Sequence, residues 1–385
     1  MIWLALKMLT GDRAKYLGII FGVTFASLLM AHQISIFISL MARTTSVIRD
    51  VREADIWVMD PNTRYIDEAL PLADTDVDRV RSVAGVEWAV RLFKGSIRAR
   101  LAQGNEQGVK GDFRQVILIG VDDNSLIGLP RTLVMGDIAD LKKPDAVIVD
   151  TIGYNYLWPG QPFRLGQVLE MNDCRAVVVG ICEANPPFLS NAIFYTRYSN
   201  ALNFAPPERR LLTFLVVKAQ EGVNHNDLCQ RIQQQTRLKA VTQEAFCWET
   251  IQFYLSSTGI PVNFGITVML GFVVGVAIAG QTFYLFTLEN LKQFGALKAM
   301  GLSNLRIIGM ILTQGFTVGC IGYGLGMGLA AIFFEGTGGV PALKGFHMYW
   351  EIMLIAAGAV TVIVVLASLL SIRKVLFLEP AVVFR

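Results

Sequence analysis

Histidine is scarce in this chain: His32, His225 and His347 are the only three in 385 residues. That leaves few ways to build a metal site. His225 and Cys229 have i,i+4 spacing on a candidate helix, but two ligands do not make a zinc site, and a surface pair is the simpler reading. There is no Gly-x-x-x-x-Gly-Lys-Ser/Thr loop, so the chain does not itself cradle nucleotide phosphates in the usual way. No Gly-x-Ser-x-Gly nucleophile motif occurs either. Asp122–Asp123 and the run Asp74, Asp76, Asp78 read as caps and solvated faces. No catalytic constellation emerges, which excludes most enzyme classes and leaves the chain as a non-catalytic component. Charge is the other scarcity. Of 65 charged residues, 50 lie within 43–260, and the remaining 167 residues carry 15. The net charge of +3 is too small and dispersed for a nucleic-acid partner. Such a chain is neither a plain soluble protein, nor disordered, nor collagen-like.

What the charge-poor part holds instead is four apolar stretches, about Tyr16–Met41, Val262–Thr287, Ile307–Phe334 and Tyr349–Ile372. Each is long enough for a bilayer, which needs ~20 mostly apolar residues. The first is too long for a signal-peptide core and lacks an Ala-x-Ala site, so it reads as a retained anchor. Basic residues sort the flanks: Lys7, Arg13 and Lys15 before the first span, Lys292, Lys298 and Arg306 between the second and third, and Arg373, Lys374 and Arg385 after the fourth. The loop 335–348 has Lys344 alone. The positive-inside rule then predicts cytoplasmic termini and a cytoplasmic 288–306 loop, with 42–260 and 335–348 outside. The expected layout is a membrane protein with four transmembrane α-helices and a large extracytoplasmic domain inserted between helices 1 and 2. Its pieces are an amphipathic N-terminal helix (1–15), spans at 16–41, 262–287, 307–334 and 349–372, and a tail at 373–385.

Small residues crowd the spans. Gly271 and Gly275 are four apart in the second, and the third holds Gly315, Gly319, Gly322, Gly324, Gly326 and Gly328. Such spacing lets helix backbones approach closely in lipid, so these glycines are expected to pack helices within or between protomers. His32, Gln33, Gln281 and Gln314 sit at membrane depth. Each either contributes to a polar pathway or makes a helix-to-helix hydrogen bond worth only ~0.6–2 kcal/mol. The second reading is favoured for the glutamines, and His32 beside Gln33 stays open. No acidic partner lies in any span, which argues against a proton relay.

The outer domain reads as an α/β plus β-rich fold. Asp74 or Thr75 caps a helix with Val77, Val80 and Ala84 on one face and Gly85 at its end. Val86, Trp88, Val90 and Leu92 then alternate as a half-buried strand. With Ala54–Met59 before and Gln115–Val121 after, the order is strand–helix–strand–strand. A second such unit follows at Leu211–Val217, Asn226–Thr236 and Lys239–Val241. Together, 54–121 and 209–244 are expected to form one α/β module interrupted by a β-rich insertion, 122–208. That insertion contains candidate strands at Ala146–Val149, Phe163–Met171, Cys174–Cys182 and Ala192–Tyr195. Residues 43–53 and 245–260 are predicted to be helical stalks. Cys174 and Cys182, eight apart on one strand, would be about 26 Å apart at ~3.3 Å per residue. They cannot bridge, because linked Cα atoms lie within ~7 Å. A Cys229–Cys247 disulfide, a bridge to the insertion and free buried thiols all remain open.

The most informative segment is the loop Leu288-Glu-Asn-Leu-Lys-Gln-Phe-Gly-Ala-Leu-Lys-Ala-Met-Gly-Leu-Ser-Asn-Leu-Arg306. Leu291, Phe294, Leu297 and Lys298 fall at helical spacing, and Gly301 is a stop signal. A short amphipathic helix joining two spans is either a lever for a soluble partner or an interfacial helix lying on lipid. The run FGALKAMGLSNLRI, directly after the second of four spans, resembles the signature loop of the MacB/FtsX-like ABC-transporter permeases, the type VII ABC superfamily. The N-terminal Met1–Lys15, the single large outer domain and the ending Arg373-Lys-Val…Glu-Pro-Ala-Val-Val-Phe-Arg385 are similar to that family as well. Gly295, Leu297, Lys298 and Gly301 match the loop pattern. Gln293 stands where a Glu is common. The start, WLALKMLTGDRAKYLGIIFGVTFASLLMAHQISIF, is most similar to the DevC-like branch.

The resemblance implies a permease subunit of the bacterial inner membrane. It would bind no cofactor itself; ATP and Mg would be held by a separate ABC ATPase. Expected partners are that ATPase, a second permease copy, membrane lipid, and a periplasmic adaptor of membrane-fusion type with an outer-membrane duct. It also implies an ATPase-coupling set: Glu289, Lys292, Phe294, Gly295, Leu297, Lys298, Met300 and Gly301, with Phe294, Leu297, Lys298 and Met300 as the contact surface. The expected activity is ATP-driven export of a lipid or small amphiphile by mechanotransmission. Two alternatives share the topology: a lipoprotein-releasing permease, and a signalling permease that regulates a periplasmic hydrolase.

Overall fold

A computed structural model describes residues 2–11, 13–101, 113–188, 192–206, 211–338, 340, 343 and 345–376. The ending read as a family tail therefore lies outside the described residues from 377 on. In chain order the helices are α1 (Ile2–Gly11), α2 (Arg13–Thr44), α3 (Ser46–Asp50), α4 (Asp76–Arg81), α5 (Thr151–Leu157), α6 (Tyr198–Phe204), α7 (His225–Thr236), α8 (Gln243–Ser257), α9 (Ile260–Glu289), α10 (Leu291–Ala299), α11 (Asn304–Thr337) and α12 (Trp350–Leu376). The strands are β1 (Ile56–Met59), β2 (Val86–Leu101), β3 (Phe113–Val121), β4 (Leu133–Gly136), β5 (Ala146–Asp150), β6 (Val168–Met171), β7 (Cys174–Cys182), β8 (Ile193–Arg197), β9 (Phe214–Ala219) and β10 (Lys239–Thr242). Two compact units result: Met1–Ser39 with Gly259–Gly339 and Phe346–Arg385, and Leu40–Thr258 with Val340–Gly345.

In the membrane unit α2, α9, α11 and the Trp350–Arg373 part of α12 are long and apolar enough to cross a bilayer. At 30 to 34 residues, α2, α9 and α11 exceed the ~20 that span the hydrocarbon core, so their ends reach beyond it. Pro261 sits in the first turn of α9, where its missing N–H has no intrahelical acceptor to lose. The core joins Ile20, Val23 and Ala26 of α2, Phe283 and Phe286 of α9, Ile307, Ile311 and Val318 of α11, and Ile363 and Val364 of α12.

The outer unit is built on one ten-stranded sheet, nine of whose strands run in the order β10-β1-β9-β2-β3-β8-β5-β7-β4, with β6 off this path. Its first four strands, all antiparallel, with α4 after β1 and α7 after β9, form a split β-α-β arrangement of the ferredoxin-like type. Alternation along β1 decides the two faces. Ile56 and Val58 face the core under α4 and α7, with Val77, Val80, Leu228 and Ile232. Trp57 and Met59 face the other core, with Phe214 and Phe246. Residues 122–208 do not make a separate β-rich body: their strands continue the same sheet. The junction is the parallel pairing of β3 with β8, Ile117↔Ile193 to Val121↔Arg197. β6 pairs with β7 and, through Ala99↔Met171 to Leu101↔Leu169, with the far end of β2. The strands β2-β3-β8-β5-β7-β6 thus close into a ring, with β4 attached outside it on β7.

Candidate functional site

The turn between the second and third spans is built for rigidity. Asn290 ends α9, its Nδ2 donating to the Phe286 carbonyl at 2.8 Å. One residue later α10 begins. At its far end, the Leu302 N–H donates to the Leu297 carbonyl and the Gly301 N–H to the Lys298 carbonyl, both at 3.1 Å. Gly301 has φ +91°. This is a Schellman motif, and its left-handed residue is the stop that the glycine signalled. α11 restarts two residues on, with Ser303 at its N-cap.

α10 presents its faces differently from the expected contact surface. Phe294 is 1% exposed and belongs to the membrane-unit core with Phe283, Phe286 and Ile307; it is an anchor, not a contact residue. Gly295 is buried beside it, and Leu297 and Lys298 are half-buried. Glu289 is engaged by the Lys15 ammonium, which ties the start of α2 to the end of α9. The outward face consists of Lys292, Gln293, Ala296, Ala299 and Gly301, with Met300 71% and Leu305 80% exposed. Leu305 is an exposed apolar residue that the sequence pattern does not single out. It lies just past the turn, where the spacing pattern of α10 no longer applies.

The glycines divide into two sets. A Cβ at Gly271 would meet Leu29, at Gly275 Ala26, at Gly315 and Gly319 Val364, at Gly322 Val23 at 2.7 Å, and at Gly326 Ser27. These positions are where helices approach too closely for any side chain. Gly324 and Gly328, expected to pack as well, have open space around them. They lie on the opposite face of α11, where an added Cβ would meet nothing within 4 Å among the described residues. Of the polar side chains at depth, the Gln314 Nε2 donates to the Ala5 carbonyl at 2.8 Å and joins α11 to α1. His32 lies against the rings of Phe333 and Phe334, with centroids at 4.7 and 5.8 Å. Gln33 is half-buried, and Gln281 is exposed on α9. The four are not gathered into one pathway.

In the outer unit, Cys229 and Cys247 are free thiols. Cys229 belongs to the core beneath α4 and α7, and Cys247 to the core on the other face of the sheet. The sheet between them excludes the bridge considered from sequence. Burial raises both thiols, Cys229 to about 11. His225 approaches Asp55 at 3.9 Å rather than sharing a site with the buried Cys229.

The expected stalks are the short α3 and the longer α8, and one side chain links them. The Gln243 Nε2 donates to the Ile48 carbonyl at 2.7 Å and to the Val51 carbonyl at 2.9 Å. Thr242 caps α8 by accepting from the Ala245 N–H. The chain entering the outer unit and the chain leaving it are thereby fastened together. A capped polar residue at a helix start looks the same in sequence whether or not it reaches a distant carbonyl, so Gln243 carried no signal.

Two family profiles match. Residues 16–235 match the MacB-like periplasmic core domain, and residues 253–380 match the FtsX-like permease C-terminal region. No match is found among curated proteins. Among solved structures, the periplasmic region of MacB from Actinobacillus actinomycetemcomitans is 15% identical with a TM-score of 0.37, covering 53% of this chain and 95% of that one. The extracellular domain of the noncanonic ABC-type transporter YknZ from Gram-positive bacteria is 12% identical with a TM-score of 0.35, covering 49% and 98%. The first profile alone spans more than half of the sequence, so this multi-pass membrane chain with its periplasmic domain belongs to the MacB/FtsX-like ABC-transporter permeases.

Proposed function

We propose that the chain is the membrane subunit of an ATP-driven exporter, converting hydrolysis by a separate ABC ATPase into movement of its periplasmic domain. The observation that carries this reading is the α9–α10–α11 turn. Phe294 fixes it from the inside and the Schellman motif holds it at the end, while Met300 and Leu305 stand out in solvent. An exposed apolar pair on a stiff helix end is a surface that a partner would cover. Force applied there would pass into two long helices rather than being absorbed by the turn.

The rest of the cycle follows from the resemblance. Two copies pair, each docks one ATPase on the cytoplasmic side with the termini, and nucleotide with Mg binds only to the ATPase. Closure of the ATPases shifts the spans, and the fastened α3 and α8 carry that shift into the sheet. Two states with different ATPase contacts are what such coupling requires. The cargo is a lipid or small amphiphile, handed to a periplasmic adaptor and an outer-membrane duct. Gln281 and the open Gly324 and Gly328 support a second copy, since a polar side chain and bare glycines facing lipid alone gain nothing.

The test is ATPase stimulation in the reconstituted complex. Met300→Asp with Leu305→Asp should abolish permease-stimulated hydrolysis while membrane insertion and thermal stability stay unchanged. Full stimulation in that double variant would refute the docking surface.

A further inference from the structure

In the outer unit, β2 changes partners partway along. Its pairing with β9 ends at Leu92↔Phe214 and its pairing with β6 begins at Ala99↔Met171. Between them, among the described residues, one edge of β2 has no strand beside it. A cavity of about 620 Å³ opens there, inside the ~300–1,000 Å³ range of small-ligand pockets. Tyr65, Phe93, Phe188, Leu211 and Tyr254 form its apolar walls. Gly95 is needed at this edge because a Cβ there would meet the Phe93 ring at 2.8 Å.

Beside the Gln115 Nε2 that donates to Ser96 Oγ at 2.7 Å, the polar lining holds one connected set around Lys94. Lys94, 7% exposed, donates from Nζ to Asp67 Oδ1 at 2.5 Å. The Tyr254 hydroxyl donates to Asp67 Oδ2 at 2.9 Å. The Lys94 N–H donates to Thr213 Oγ1 at 2.9 Å. An ammonium has three donors, and Asp67 is the one acceptor that Nζ meets in this network. A buried cation beside an apolar cavity binds acid oxygens through charge-assisted hydrogen bonds. Asp67, more open to solvent than Lys94, occupies the place such an acid would take. Tyr254 lies on α8, whose last residue, Ser257, stands three before the start of α9.

We propose that this cavity binds a single-chain anionic amphiphile, its acidic head on Lys94 and its apolar body along Tyr65, Phe93, Phe188 and Leu211. On binding, the head competes with Asp67 for the ammonium, which loosens the Lys94–Asp67–Tyr254 link between β2 and α8. This deepens the export reading by giving the cargo class a seat. It is tested with neither ATPase nor ATP, so its failure leaves the docking reading standing, and the reverse.

The experiment photolabels the full chain in zwitterionic nanodiscs with a diazirine-bearing twelve-carbon carboxylic acid and with the matching alcohol, mapping labelled peptides by mass spectrometry. The acid should label the peptides holding Tyr65, Phe188 or Leu211 at least tenfold more than the alcohol. Lys94→Met should remove that labelling. Asp67→Asn, which keeps the ammonium and removes its competitor, should raise it several-fold, a gain that misfolding cannot produce. Equal labelling by acid and alcohol, labelling confined to the spans, or no gain in Asp67→Asn would each overturn the assignment. The first of these would instead fit an extended peptide adding to the open edge of β2.

Discussion

Asp150, Asp67 and Gln243 in the outer unit each gather several partners, whereas Gln314 and Ser27 in the membrane unit reach only backbone carbonyls. Asp150 accepts from the Gly153 N–H at 3.0 Å and the Ile193 N–H at 2.8 Å, tying α5 and β8 to β5. Lys94 and Tyr254 share Asp67, and Gln243 spans two carbonyls. Gln314, by contrast, makes one bond and leaves its Oε1 without a partner. Ser27 reaches the carbonyls of Thr24 and Gly322 with a single hydroxyl. The difference reflects what holds each unit. A sheet with two cores gains from burying apolar area, and can satisfy several polar groups around one carboxylate. Helices in lipid have no such driving force between them and depend on close approach at small residues.

The sharpest way to break this comparison is at the anchor of α10. Phe294→Ala should lower the thermal stability of the membrane unit by about 3–5 kcal/mol, as expected for emptying an aromatic site in a core. Met300→Ala, one turn and a half further on, should stay within ~0.5 kcal/mol. Thermal melts in one detergent measure both, and equal losses would contradict the assignment of faces. Next come the two glycine sets. Gly326→Leu should cost ~1–3 kcal/mol or more by overpacking against Ser27, while Gly324→Leu should leave the melting temperature of the detergent-solubilised monomer unchanged.

In the outer unit, burial pushes Asp150 up to about 6 despite its backbone donors. An acid raised above its unfolded value of ~3.9 is protonated in the folded state between those values, so stability falls as pH rises from about 4 to 6. Relative to Asp150→Asn, the wild type should lose up to ~3 kcal/mol across that window and stay level above it. Parallel melting curves from pH 4 to 7 would remove this account. The smallest effect separates the two glutamines. Gln243→Ala should cost ~1–2 kcal/mol by stranding two carbonyls, and Gln314→Leu less than ~1 kcal/mol, because its gain is one bond and its orphaned oxygen disappears.

How much of this was readable depends on how local each feature is. The span sequences, the strand Cys174–Cys182 and the stop at Gly301 rest on runs of neighbouring residues, and the elements stand where those runs lie. Which side of α10 faces the core is not local. An apolar stripe of Leu291, Phe294 and Leu297 looks alike whether it packs on its own chain or on a partner, so the stripe does not tell that Phe294 is buried and Leu305 exposed. The same limit hid the ring. Ala99–Leu101 gives no hint that it pairs with Leu169–Met171, about seventy residues on. Nor does spacing announce that Asp67, Lys94 and Tyr254 converge, since each has an ordinary surface reading by itself. Glycine content alone does not tell Gly322 and Gly326, which face α2, from Gly324 and Gly328, which have open space; helical phase separates them.

The pairing of β1 with β10 carries a mechanical consequence. Entry and exit strands are neighbours, joined by a four-residue antiparallel ladder from Ile56↔Thr242 to Met59↔Lys239. Tension arriving along α2 and α9 would meet that ladder and the Gln243 clasp before any other part of the sheet. If force is passed through this unit, the short ladder and the clasp would set the largest pull it could carry before opening.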